Sequence, residues 1–207
     1  MNGRLISIEG GEGAGKSSVM TALCDALSAR GIEVVSTREP GGTDAGEKIR
    51  ELLLDPASAL CAEAELLLMF ASRAQLVREV IRPALTRGAW VVTDRFTDAS
   101  YAYQGGGRGI DTSRIAELER WAAAIKPDLT FLLDVDVAQG HARIAGRGEP
   151  DRIERERADF FQHVRATYLS RARSEPERFR VIDAGTAPDA VVSDVLAALD
   201  AWLAEHA

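Results

Sequence analysis

The chain has 207 residues, 46% of them hydrophobic and 28% charged, an ordinary globular balance that fits one domain, 1–207, with a sizeable core. A net charge of −7 argues against a protein that coats nucleic acid. No apolar run approaches the roughly 18 residues of a membrane span, and no basic-then-apolar leader opens the sequence. Cys24 and Cys61 stand apart without metal or redox spacing, which points to core cysteines in a reduced, cytoplasmic setting. His141, His163 and His206 form no ligand cluster. All basic residues except Lys16, Lys48 and Lys126 are arginines, whose planar forks suit bidentate phosphate binding.

Leu5-Ile6-Ser7-Ile8 is a short apolar strand, and Val19, Ala22, Leu23, Ala26 and Leu27 recur at helical spacing. Between them lies Gly10-Gly11-Glu12-Gly13-Ala14-Gly15-Lys16-Ser17, which fits G-x-x-x-x-G-K-S. Strand, loop and helix in that order make it a phosphate-gripping loop. Glycines let backbone N–H groups converge on phosphate oxygens, and the helix aims its positive end at the anion. Lys16 is placed to reach the β/γ-phosphates, and the Ser17 hydroxyl to ligate Mg²⁺.

A second strand is predicted over residues 32–37 and a helix over 43–54. Arg38-Glu39-Pro40-Gly41-Gly42-Thr43 follows that strand directly, beside the phosphate loop, where an acceptor-side role outweighs a plain turn. Arg50 fits a solvated helix face and a ligand contact equally well. A long helix is predicted over 62–85, with Leu66, Phe70, Arg73, Val77, Val80, Ile81 and Ala84 in one stripe. An arginine in a core-facing stripe must be ion-paired or reach a ligand. With Phe70 one turn away, the pair looks more like a base pocket than a structural ion pair.

Residues 89–93 form a third strand that ends in Asp94, a Mg²⁺-positioning acid, followed by Arg95 within reach of transferring phosphate. Ser100-Tyr101-Ala102-Tyr103-Gln104-Gly105-Gly106-Gly107-Arg108-Gly109 reads either as a surface loop or as polar and aromatic groups that orient a base and sugar. A helix is predicted over 115–125, a strand over 129–135, a charged segment over 138–173, a strand over 179–182 and a closing helix over 191–203, with Thr186-Ala187-Pro188-Asp189 as its start signal. Arg143, Arg147, Arg152, Arg155 and Arg157 crowd a stretch broken by Gly146, Gly148 and Pro150, a pattern for a hinged lid over a phosphate, about 143–157. The fold class is α/β: a five-stranded parallel sheet with helices on both faces, of P-loop NTPase type with a mobile lid.

Taken together, these motifs resemble the bacterial thymidylate kinases, of the nucleoside-monophosphate kinase group. The resemblance covers essentially the whole chain and is carried by residues 9–17, 38–43, Asp94-Arg95-Phe96, residues 103–108 and Asp151-Arg152-Ile153-Glu154. It implies ATP-dependent phosphorylation of dTMP to dTDP, with Mg²⁺ shared by Ser17 and Asp94, and a homodimer that binds neither nucleic acid nor membrane. Residue by residue, it implies that Glu12 meets the acceptor's 3′-hydroxyl and that Arg95 bridges donor and acceptor phosphates. Arg38 and Arg50 would grip the acceptor phosphate; Arg73, Ser100 and Gln104 would face the thymine; Tyr103 would crowd out a ribose 2′-hydroxyl. Adenine would lie near the lid and Asp183-Ala184-Gly185. Gly13 stands where the eukaryotic type has an arginine, so Arg143 and Arg147 are the candidates for that charge. The stacking ring of most relatives sits four residues before the base-reading arginine. Here that place is Met69, and Phe70 is three before, on the same helix face. The alternatives are a kinase for another nucleoside monophosphate and a non-enzymatic nucleotide switch; the latter lacks any Asn-Lys-x-Asp tetrad.

Overall fold

The computed structural model describes residues 3–146 and 148–206. Five parallel strands, β1 (Leu5–Gly10), β2 (Val34–Arg38), β3 (Trp90–Asp94), β4 (Leu129–Asp134) and β5 (Phe179–Asp183), lie in the order β2-β3-β1-β4-β5. The central β1 is buried at every position, whereas the edge strands β2 and β5 alternate in exposure. That contrast is what helices on both faces of a parallel sheet require. The register aligns Ile8 and Arg38 with Asp94, so the C-terminal edge collects the residues on which the site depends.

Successive β1 side chains serve opposite faces. Ile6 and Ile8 pack with Val19, Leu23 and Leu27 of α1 (Lys16–Ala29) and with Val195, Leu199 and Trp202 of α9 (Pro188–Glu205). On the other face Leu5 meets Leu76, Val77 and Ile81. Nearby, Leu132 packs against Phe160, Phe161, Val164 and Tyr168 of α8 (Ala158–Ser174). Ser7 and Glu9 share β1's second face and are fully buried; the Ser7 and Thr130 hydroxyls pair at 2.8 Å.

Between these layers, α2 (Asp44–Leu54) begins behind the Thr43 side chain, which accepts from Gly46 N at 3.0 Å. The predicted long helix is α3 (Ala62–Leu76), continued through a π turn over Val77–Ile81 into α4 (Arg82–Thr86). The predicted 115–125 helix starts earlier, as α6 (Thr112–Leu118) behind an Asp111 cap, and ends in a second π turn over Glu119–Ala123. The charged segment divides into α7 (Val137–Ile144), capped by Asp136, and α8, with residues 145–157 between them.

The glycine-rich stretch after β3 is not a surface loop. The short α5 (Thr97–Ser100) runs into a π turn over Tyr101–Gly107, packed on α8. A Cβ on Gly106 would collide with Thr167 and one on Gly107 with the Phe160 ring. Those glycines serve close helix packing, which local sequence does not distinguish from turn formation. No described helix is long and apolar enough to cross a membrane.

Candidate active site

A cleft of about 680 Å³ opens along the C-terminal edge of the sheet. Glu12, Gly13, Ala14, Gly15, Lys16 and Ser17 form one wall, with Arg38, Arg50, Asp94, Arg95, Tyr103 and Gln104 around them. α1 begins at Lys16 without a side-chain cap, which leaves its first amides open to an anion. Lys16 Nζ rests on the Gly10 and Gly11 carbonyls at 3.4 and 3.0 Å. Burial and the Arg95 charge push its pKa down, while Glu12, Asp94 and Glu9 pull it back up. Asp94 Oδ1 is buried with no hydrogen-bond partner among the described residues. Such an orphan oxygen beside a phosphate loop has the chemistry of a ligand for a hard cation or its water.

Arg95 is the most constrained residue at the cleft. Its φ of +68° lies in the left-handed region, at a strain cost of about 1–3 kcal/mol for a side-chain-bearing residue. The backbone is held there by Arg95 N donating to Ile8 O at 2.9 Å and Arg95 O accepting from the Thr93 hydroxyl at 2.9 Å. Nη2 donates to Glu12 Oε1 at 2.7 Å and to Tyr103 Oη at 2.9 Å. Nη1 donates to Gly10 O at 3.0 Å and to Tyr168 Oη at 3.2 Å. Strain that is restrained on every side is what a preorganised cation needs.

Two carboxylates flank this guanidinium and titrate in opposite directions. For Glu12, burial opposes ionisation, but the charges of Arg95 and Lys16 and the Tyr103 hydroxyl outweigh it and hold the pKa at about 2. Burial keeps the Tyr103 phenol protonated, so it donates to Glu12 at 2.9 Å. Glu9, beneath the site, is pushed up to about 8, chiefly by burial and then by the Asp98 charge. It accepts from Phe96 N and from Tyr168 Oη, both at 2.7 Å. Glu9 enters the sequence reading only as the first residue of the 9–17 motif and Tyr168 not at all; the 159 residues between them leave no local sign of their pairing.

Four expected site residues do not themselves line the cleft. Arg73 is completely buried: its Nε donates to Glu39 at 2.7 Å, Nη1 to Ser100 Oγ at 3.0 Å and Nη2 to Phe96 O at 3.1 Å. Its guanidinium carbon sits 4.4 Å from the Phe70 ring centroid. This is the structural ion pair that sequence reading ranked second; Arg73, Phe70 and Ser100 stand behind the wall, and Met69 lines the cleft. Arg143 does not line the cleft but joins the turn after β5 to the phosphate loop, donating to Ala184 O at 2.6 Å, Gly185 O at 3.3 Å, Thr186 O at 3.1 Å and Gly13 O at 3.4 Å. Arg147 lies outside the described residues. Among the described residues, the lid arginine that lines the cleft is Arg152, paired with Glu65 at 2.7 Å. A side chain at Gly13 would run into the Gly140 backbone of α7, so the missing loop charge has a steric cause.

A family model described as thymidylate kinase matches residues 8–195. The chain belongs to the thymidylate kinase family. It is 59% identical over 206 residues to the thymidylate kinase of Chromohalobacter salexigens, covering 98% of this chain and 97% of that one. It is 53% identical over 197 residues to that of Methylobacillus flagellatus, covering 95% and 96%. The crystal structure of thymidylate kinase from Ehrlichia chaffeensis superposes with a TM-score of 0.80 at 33% identity, over 97% of this chain and 99% of that one. Membership makes the chain a phosphotransferase that acts on small-molecule nucleotides.

Proposed function

We propose that the cleft transfers the γ-phosphoryl group of ATP to dTMP, giving dTDP, with Mg²⁺ as the metal. What carries this reading is the meeting in one cleft of an anion-ready helix start with a second group of polar side chains, Arg38, Arg50, Arg95, Tyr103 and Gln104. The phosphate loop from Gly10 to Ser17 takes the donor phosphates, with Lys16 leaving the Gly11 carbonyl to meet them. Ser17 and the unpartnered Asp94 oxygen fit Mg²⁺, which keeps most of its ligands as water and phosphate oxygens. Bound there, the metal supplies charge neutralisation between the phosphates.

Little covalent chemistry falls to the protein. The acceptor phosphate is already anionic at neutral pH, so no general base is required. Arg95 carries charge stabilisation: one exchange of partners, from Glu12 and Tyr103 to phosphate oxygens, turns a closed ion pair into a bridge. Arg38 and Arg50 hold the acceptor phosphate; Arg38 now pairs with Glu47 at 2.9 Å and Arg50 donates to Pro40 O at 3.0 Å. Glu12, released from Arg95, is free to meet the sugar, and the Tyr103 ring narrows the space beside it. Arg143 serves the donor side by bracing residues 184–186, and residues 143–157 act as lid within a single domain.

A homodimer is part of the same reading. Leu67 on α3 and Trp121 on the neighbouring Glu119–Ala123 turn are 57% and 82% exposed, an apolar pair that a second copy would cover. Cys24 is half-buried and Cys61 exposed, so neither is the core cysteine expected; as free thiols both suit the cytoplasm. The deciding experiment is ADP release with dTMP, dUMP, UMP, dCMP and thymidine as acceptors. dTMP is expected to give the highest kcat/KM; a better acceptor elsewhere in the panel would overturn the substrate, and no acceptor-stimulated ADP release would overturn the reaction.

A further inference from the structure

Gln104 lines the cleft and is 2% exposed. Its Nε2 donates to Glu65 Oε1 at 2.9 Å, and its Oε1 is buried with no hydrogen-bond partner among the described residues. The two ends of an amide differ little in shape, so the chemistry of the neighbour decides its orientation. Glu65 on α3 is 1% exposed, and three side chains converge on it. Besides Gln104, Arg108 Nη2 donates to its Oε2 at 3.0 Å and Arg152 Nη2 to the same oxygen at 2.7 Å. Arg108 Nε reaches Oε1 at 3.3 Å. Burial opposes ionisation, but the hydrogen bonds from Arg108, Gln104 and Arg152 hold Glu65 below the ordinary carboxylate range. An ionised carboxylate only accepts, so Gln104 must turn its NH₂ to Glu65. Its carbonyl oxygen is then the unpartnered acceptor of that amide left for a ligand.

We propose that Glu65 is a positioning residue that sets the base preference of the cleft by fixing which end of the Gln104 amide faces the base. A carbonyl held there accepts the N3–H of a 2,4-dioxopyrimidine such as thymine or uracil. Cytosine presents a lone pair at N3, and acceptor would face acceptor. A site built around one hydrogen bond rejects the analogue that cannot make it far more strongly than an apolar pocket rejects a missing methyl group. The inference rests on the reading of the cleft as a pyrimidine monophosphate site and supplies the reason for one part of its selectivity. The 5-methyl group lies outside it, so dUMP and dTMP should respond alike.

Glu65→Gln is the test, because it reverses the logic instead of merely weakening it. The two guanidinium groups on Oε2 only donate, so the new amide keeps its oxygen with them and turns its NH₂ toward Gln104. Gln104 must then offer its carbonyl inward and its NH₂ to the base. Steady-state kinetics with dTMP, dUMP and dCMP should show kcat/KM falling for the first two and rising for dCMP. The dTMP:dCMP ratio should shrink by roughly 10²-fold. An equal loss on all three acceptors, or an unchanged ratio, would reduce Glu65 to an anchor for Arg108 and Arg152 and overturn the inference. Gln104→Met covers the case in which the first variant does not fold. It removes the amide while leaving Glu65 to its arginines, and should lower dTMP turnover but not dCMP turnover, shrinking the ratio by about tenfold. An unchanged ratio there would also overturn the inference. A wild-type enzyme that phosphorylates dTMP and dCMP equally would sink this inference and spare the kinase reading; one that phosphorylates neither would sink both.

Discussion

Two inward-facing arginines, Arg73 and Arg95, have much in common and differ in one decisive respect. Each has a carboxylate at 2.7 Å and an aromatic ring under its guanidinium, Phe70 for Arg73 and Tyr103 for Arg95. Arg73 has no exposed surface, and its donors end on Glu39, Ser100 and the Phe96 carbonyl. Arg95 keeps 14% of its side chain exposed, lines the cleft and sits on strained backbone. An arginine enclosed by protein acceptors holds structure together. One whose partners, Glu12 and Tyr103, themselves line the cleft can exchange them for a phosphate.

The sharpest way to break this comparison is to remove each side chain in turn. Arg95→Ala should lower kcat by 10³-fold or more, as loss of a charge-bridging arginine does in phosphoryl transfer. Its melting temperature should fall less than that of Arg73→Ala: alanine keeps a Cβ and with it the positive-φ strain, but the Glu12 left behind is partly exposed and can regain water. Near-normal turnover would show that Arg95 is only a buried counter-ion. Arg73→Ala should do the reverse, destabilising the fold by about 3–5 kcal/mol in denaturant titrations, because Glu39 is left buried without its cation. Burial already pushes Glu39 above its ordinary pKa despite Arg73, so some of that cost will be relieved by protonation. A stable Arg73→Ala protein with a large, selective loss of dTMP affinity would return Arg73 to the base pocket.

Glu9 gives the smallest effect and refines the account of Arg95. Its carboxyl binds a proton in the folded state up to about pH 8, whereas an unfolded carboxyl has released it near its ordinary value of 4.5. Between those values the folded state carries the extra proton, so Glu9's contribution to stability must decline as pH rises. Glu9→Gln should remove that slope: the variant's melting temperature, relative to wild type, should climb from pH 5 to pH 8. A flat difference across that range would mean Glu9 is ionised throughout, held by its two donors.

Local chemistry made the phosphate-loop side of the cleft legible in advance. The phosphate loop is contiguous with its strand and helix, and Asp94-Arg95 ends a strand that pairs with β1. The base-side wall was legible only in part. Phe70 and Met69 share a helix face, and a stripe cannot say which of them reaches the cleft. Arg73 was recognised as inward, but its partner Glu39 lies 34 residues away and its second partner, Ser100, 27. Glu65 lies outside the stripe that begins at Leu66, and a carboxylate at the head of the apolar run 66–70 is its one local sign.

The sequence by itself determined the alternation of strands and helices, the nucleotide-gripping loop and the identity of the acid and arginine after β3. These follow from periodicity and from motifs whose parts are neighbours along the chain. Only the tertiary structure decided which arginines line the cleft. A guanidinium goes where its acceptors are, and here those acceptors arrive from distant segments: Glu39 for Arg73, Glu12 and Tyr103 for Arg95, the 184–186 carbonyls for Arg143 and Glu65 for Arg152.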